Sequence, residues 1–294
     1  MQLFKRIGVF LKNTRLDRAV LGFASHISRS GDHELVFAHV SNPNDPESGP
    51  EPSAEEFDKQ VREQMPDNPA AKIETRVLTG NQIDMILRCT RDENLDLAIL
   101  GRKLPSSQLG LGPKISRIVR KIPCSVLMVP ELCEPHFDRI MVAIDCSEHS
   151  RIAMDTALEI ANACDANPQV VAVSVRAVGR GHDVAGYTFQ EAADHQIKLG
   201  DKKLTEFLSR IPTNGIEVKK MVLISESPAL AVTHAAMARK MDIVVVGSRG
   251  ASSTAAAVLG SNSEQLLATC ALPTLVVKKK GETLNLLEAS FSMD

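Results

Sequence analysis

Gly247-Ser-Arg-Gly250, nine intervening residues and then Gly260-Ser261-Asn262 form the stretch of this chain best suited to chemistry. The stretch follows the β-branched run Met241–Val246, which reads as a buried parallel strand, and it leads into a helical pattern over Asn262–Ala271. Glycines at the exit of such a strand let the backbone turn sharply and come close to a bound group. A helix opening at Gly260-Ser261 presents free N–H groups and the positive end of its dipole, both favouring an anion. The dipole alone contributes about 0.3–1 kcal/mol toward an exposed charge, so loop amides must add to it. This pattern supports a phosphate cradle built from Gly247, Ser248, Arg249, Gly250, Gly260, Ser261 and Asn262. In it, Arg249 reaches a phosphate, the alternative being an arginine that simply stays solvated on its loop, and Asn262 offers its backbone N–H. An architectural explanation stands beside it. Ser261 with Glu264 fits a capping box, a cap being worth about 1 kcal/mol, and Gly247 could simply end a strand.

Ligands of open parallel α/β sheets bind beyond the carboxyl ends of the strands, so the neighbouring strand exits must complete any such site. One of them carries Asp145-Cys-Ser-Glu-His-Ser150, directly after Arg139–Ile144. The Asp145 carboxylate can accept hydrogen bonds from ribose hydroxyls or from an adenine amine. Its other common use is to cap the helix that follows. A second exit ends in Val175, on its own only a valine at a strand end.

Gly-x-x-Gly-x9-Gly-Ser after a hydrophobic strand resembles the nucleotide motif of universal stress proteins, Gly-2x-Gly-9x-Gly-(Ser/Thr), and residues 247–261 match every fixed position. The resemblance implies an adenine nucleotide, ATP, as ligand. Asp145 takes the place of the family's first-strand nucleotide contact, and Val175 the place that meets adenine through its backbone. It also implies a regulatory or protective role, with a slow ATPase or a nucleotide-free scaffold as the alternatives. Mg or Mn on the phosphates, a homodimer and an unidentified protein partner are compatible with it. No P-loop, dinucleotide-binding Gly-x-Gly-x-x-Gly or Ser-Gly-Gly-x-Asp-Ser sequence occurs.

Other chemistry finds no support. There is no His-x-x-x-His, Gly-x-Ser-x-Gly or paired-cysteine pattern, so neither catalytic nor metal-ligating residues are expected. A net charge of −2 argues against a nucleic-acid partner. No apolar run approaches a membrane span, and the first residues lack the apolar core of a signal peptide. Six unpaired-looking cysteines fit reduced thiols in a cytoplasm.

The elements that must position the cradle come from one unit written twice. At 294 residues the chain accommodates two domains, with aliphatic cores because aromatics make up only 3%. Strands are expected over 6–11, 34–40, 72–78, 96–100 and 124–129, then over 139–144, 169–175, 217–224, 242–246 and 274–277. Helical spacing falls between them, at 16–28 and 54–64 in the first half and at 151–163 and 190–210 in the second. Strand–helix alternation predicts two tandem Rossmann-like α/β units, and the resemblance makes each a five-stranded parallel sheet with helices on both faces. The expected domains are 1–131 and 138–280, with an exposed tail over 281–294.

The two halves differ where it matters. Lys12 stands where the second half has Asp145, and Leu104 where it has Gly250. No Ser or Thr follows Gly110 or Gly112, and Pro113 removes one amide donor. The first half is therefore expected not to bind nucleotide in this manner. Ser248, Ser252, Ser253 and Thr254 make the second loop rich in hydroxyls, suited to a phosphate rim or to phosphorylation, the alternative being a merely flexible loop.

Overall fold

The computed structural model describes residues 4–12, 14–42, 51–65, 72–103, 113–164, 168–179, 182, 186–250 and 259–279. Leu104, Gly110, Gly112, Ser252–Thr254 and the tail expected over 281–294 lie outside them. The chain divides into two compact units, one of Met1–His136 with Lys278–Asp294 and one of Phe137–Val277.

In the first unit the order is β1 (Arg6–Leu11), α1 (Asp17–Ser28), β2 (Glu34–Ser41), α2 (Ala54–Gln64), β3 (Lys72–Thr79), α3 (Gln82–Asp92), β4 (Leu97–Arg102), α4 (Pro113–Lys121) and β5 (Ser125–Pro130). Its strands pair in parallel in the order β3-β2-β1-β4-β5. The chain steps outward from β1 to β3, then crosses back to β4. Right-handed crossovers therefore put α1 and α2 on one face of the sheet and α3 and α4 on the other.

The second unit repeats this with β6 (Arg139–Ala143), α5 (Glu148–Asn162), β7 (Gln169–Arg176), α6 (Phe189–Leu208), β8 (Val218–Ile224), α7 (Pro228–Ala238), β9 (Ile243–Gly247), α8 (Ser261–Thr269) and β10 (Thr274–Val277). The strand order is β8-β7-β6-β9-β10, again all parallel. The α/β class and doubly wound sheets are those the strand–helix alternation predicts.

Continuous apolar runs make the inner strands because both faces of a parallel sheet are covered. Ile140, Met141 and Val142 of β6 and Val244 and Val245 of β9 are buried from end to end. Polar punctuation sets the helix starts. Ser53 with Glu56, and Thr188 with Glu191, form reciprocal capping boxes at α2 and α6. Helix α5 begins at Glu148, ahead of the expected residue 151, because the Ser147 hydroxyl accepts the Ser150 N–H at 3.2 Å and draws the turn into the helix.

In each unit the strand order reverses between the first and fourth strands, opening a crevice at their carboxyl ends. For the second unit that point lies between β6 and β9, where Asp145 and Gly247 emerge.

Candidate functional site: a glycine-walled crevice in the second unit

Asp145 follows β6 after one buried residue, Ile144. Its Oδ1 accepts the Ser147 N–H at 3.0 Å, which folds the backbone into an Asx turn. Ser147, not Asp145, caps α5. The capping role considered for Asp145 is thus filled by its neighbour, and the Asp145 carboxylate faces the crevice instead. Between them Cys146 takes φ +65°, a left-handed conformation at the tightest point of the turn. Burial pushes the Cys146 thiol up, the adjacent Asp145 charge pushes it further, and the sulfur stays protonated at neutral pH.

Gly247 ends β9 in register with Val277. A Cβ on Gly247 would lie 2.6 Å from the carbonyl oxygen of His149, in the first turn of α5. On Gly250 it would lie 2.8 Å from Asp145 Oδ2. At Gly247 the obstacle is backbone, which excludes any side chain, whereas at Gly250 a side chain would have to displace the Asp145 carboxylate from its place on the crevice. None of Gly247, Gly250 and Gly260 has a positive φ. Close approach, rather than the sharp turn expected, is what requires glycine at 247 and 250.

The loop that leaves β9 is fastened where it returns. The Gly260 N–H donates to the Ser248 carbonyl at 2.7 Å, and the Ser248 N–H donates to the Val277 carbonyl at 2.8 Å. Ser248 is only 2% exposed and forms no part of the crevice wall. Its backbone N–H and carbonyl clasp the loop.

Gly260 is the N-cap of α8, extended at φ −72° and ψ 148°, and no side chain caps the helix. Ser261 is already helical, so the Ser261–Glu264 capping box does not form. The helix is anchored two residues later, where buried Ser263 Oγ donates to the Gly247 carbonyl at 2.7 Å. Among the described residues no side chain therefore caps the amides of the first turn, whose partial charge favours an anion.

These elements enclose a crevice of about 130 Å³. It brings together Asp145, Val175, Gly247, Arg249, Gly250, Gly260, Ser261 and Asn262. Its apolar side adds Ala143, Val173, Pro228, Ala229 and Val232. The α7 contribution was not legible beforehand, since Pro228–Val232 reads only as the start of a helix. Ser263 was missed for a related reason: a serine at the third helical position carries no sign that its hydroxyl turns back onto a strand end. Among the described residues no three His, Cys, Asp or Glu side chains converge as a metal site, and no helix is long and apolar enough to cross a membrane.

The corresponding corner of the first unit is built differently. Lys12 follows β1 where Asp145 follows β6, and its N–H donates to both Asp17 carboxylate oxygens at 3.2 Å. Gly101 aligns with Gly247, but a Cβ there would meet only side chains, Val20 Cγ2 at 3.0 Å and Leu16 Cβ at 3.3 Å. Arg102, buried, occupies the position of Ser248.

Comparison with known proteins follows the same division. The model of the universal stress protein family matches residues 3–130 and again residues 136–278. A universal stress protein of Thermus aquaticus, from the QAH/OAS sulfhydrylase 3′ region, is 29% identical over 143 residues, covering 48% of this chain and 99% of its own. Universal stress protein YxiE of Bacillus subtilis is likewise 29% identical, over 150 residues, with 48% of this chain and 99% of the relative covered. Among solved structures, a universal stress protein from Archaeoglobus fulgidus superposes with a TM-score of 0.68 at 19% identity, over 93% of this chain and 98% of the other. A protein of unknown function from Pseudomonas aeruginosa PAO1 gives 0.68 at 16% identity, over 98% of both chains.

Proposed function

Because the chain belongs to the universal stress protein family and carries two of its modules in tandem, we propose that the second module binds an ATP-type nucleotide in the crevice between β6 and β9. The observation that carries this reading is the pairing of Gly250, pressed against the Asp145 carboxylate, with an uncapped α8 N-terminus on the same crevice. In this reading the base lies on the apolar side, against Val173, Val175, Ala229 and Val232. Asp145 accepts from ribose hydroxyls. The phosphates run along Gly247, Arg249 and Gly250 to the amides of Gly260, Ser261 and Asn262, where the helix dipole and the Arg249 guanidinium offset their charge.

Several phosphate charges exceed what one arginine and one helix end neutralise, so a divalent ion such as Mg or Mn would accompany them. With no convergent carboxylate or imidazole set among the described residues, such an ion would take its oxygens mainly from the phosphates and water. Bound nucleotide then serves as a regulatory or protective signal in the stress response. A cytoplasmic setting suits this role, where all six cysteines stay as free thiols.

Purified protein, denatured without added ligand and analysed for released nucleotide, tests the reading. Adenine nucleotide in the supernatant, and its absence from a Gly250→Val preparation, is the expected result. An empty supernatant together with no uptake of added ATP would remove the proposal.

A further inference from the structure

The first unit holds a cavity of about 190 Å³ at the carboxyl ends of β1 and β2, lined from α1 and α2. It lies on the opposite face of the sheet from α3 and α4, whose counterparts wall the glycine crevice of the second unit. His39 lines it, only 2% exposed, with its ring held against Phe57 at a centroid separation of 5.8 Å. Among the described residues the His39 Nε2 has no hydrogen-bond partner, and the hydroxyl of Thr14, also on the wall, has none either. Two buried polar atoms on one cavity, both unpartnered, mark a place where something else supplies the bonds.

The remaining wall says what that is. Leu11, Leu21, Phe57 and Val61 give it apolar patches in a wall that is otherwise polar, with Gln60 and Gln64 neutral and Asp17 and Arg18 contributing one charge of each sign. A charged ligand would therefore gain little there. Burial pushes the His39 imidazole down, against the opposing pull of Asp17 and Glu51, so the ring is neutral at neutral pH. A hydroxyl both donates and accepts, and it satisfies either tautomer of that ring as well as Thr14. One water would leave most of the space unfilled; a cavity of about 150 Å³ is large enough for a benzene ring, and Leu21, Phe57 and Val61 offer the ring an apolar contact.

We propose that this cavity is a second binding site, for a small neutral hydroxylated molecule with a ring about the size of phenol. The site is particular to the first unit. His39 is the sixth residue of β2, and the sixth residue of β7 is Ser174. Nearby in the second unit the Cys146 thiol lies against the Lys203 carbonyl of α6 at 3.9 Å.

The proposal does not depend on nucleotide binding, and its test is separate. Phenol is titrated into the full-length protein carrying ¹⁵N-labelled histidine, with benzene as the control, and the side-chain ring signals are followed. The His39 ring nitrogens shift saturably with phenol and much less with benzene. His39→Phe, which keeps the ring against Phe57 but removes the polar atom, lowers phenol affinity about tenfold. Val61→Trp, which fills the space, removes phenol binding, and ATP uptake is unchanged in both variants. His39 signals that stay fixed throughout the phenol titration would overturn the site, as would equal phenol affinity in wild type and His39→Phe.

Discussion

The carboxyl ends of β6 and β9 in the second unit and of β1 and β4 in the first share one topology and almost nothing else. In the second unit Gly247 admits the backbone of α5 to within a distance no side chain tolerates, and Gly250 leaves the carboxylate of Asp145 a place that a side chain would take from it. In the first, a lysine replaces the aspartate, and the strand-end glycine meets only the movable side chains of Val20 and Leu16. The same fold thus keeps its sheet while the chemistry of its exits diverges. What holds a strand in place is burial along its length, which both units have. What makes a strand exit a site is the absence of bulk just beyond it, which burial does not protect.

Substitutions that break this difference rank by how directly they touch it. Gly250→Val should have the largest effect, reducing ATP affinity at least about a hundredfold, since a branched side chain overlaps both Asp145 and the phosphate path. Leu104→Val at the matching place in the first half should leave ATP affinity unchanged; calorimetry on the two variants side by side measures both. Asp145→Ala should weaken ATP about tenfold to a hundredfold, the worth of a charged hydrogen-bond acceptor, while Lys12→Ala changes nothing. Equal losses in the latter pair would erase the proposed asymmetry.

Gly247→Ala should lower stability by about 1–3 kcal/mol, because its Cβ meets the His149 carbonyl and the backbone must move. Gly101→Ala should cost less than about 1 kcal/mol, since Val20 can turn aside. Denaturant unfolding midpoints of the two variants decide that comparison. Ser263→Ala should cost about 1 kcal/mol by freeing the Gly247 carbonyl, with ATP affinity down only a fewfold.

Much of this was legible in residue types. The strand runs, the alternation with helices and the doubling of the unit follow from where the apolar stretches and turn residues fall. The crevice was partly legible, because Gly247, Gly250, Asp145 and Val175 sit at strand exits that topology must bring together. The roles of serines were not. Ser147, Ser248, Ser261 and Ser263 have one side chain among them, yet the first caps a helix, the second clasps a loop through its backbone, the third caps nothing and the fourth anchors a helix to a strand. Which role each takes depends on which carbonyl or amide tertiary packing brings near. The cavity beside His39 was hidden for another reason. In a parallel strand buried on both faces, a histidine between apolar residues gives no sign of the space beside it.

Titration of ATP into the wild-type protein, with Mg present and heat release measured, bears most directly on the difference between the two units. One crevice able to take nucleotide predicts a stoichiometry of about one ATP per chain, lost in Gly250→Val. A stoichiometry of about two, or binding that survives Gly250→Val, would contradict it.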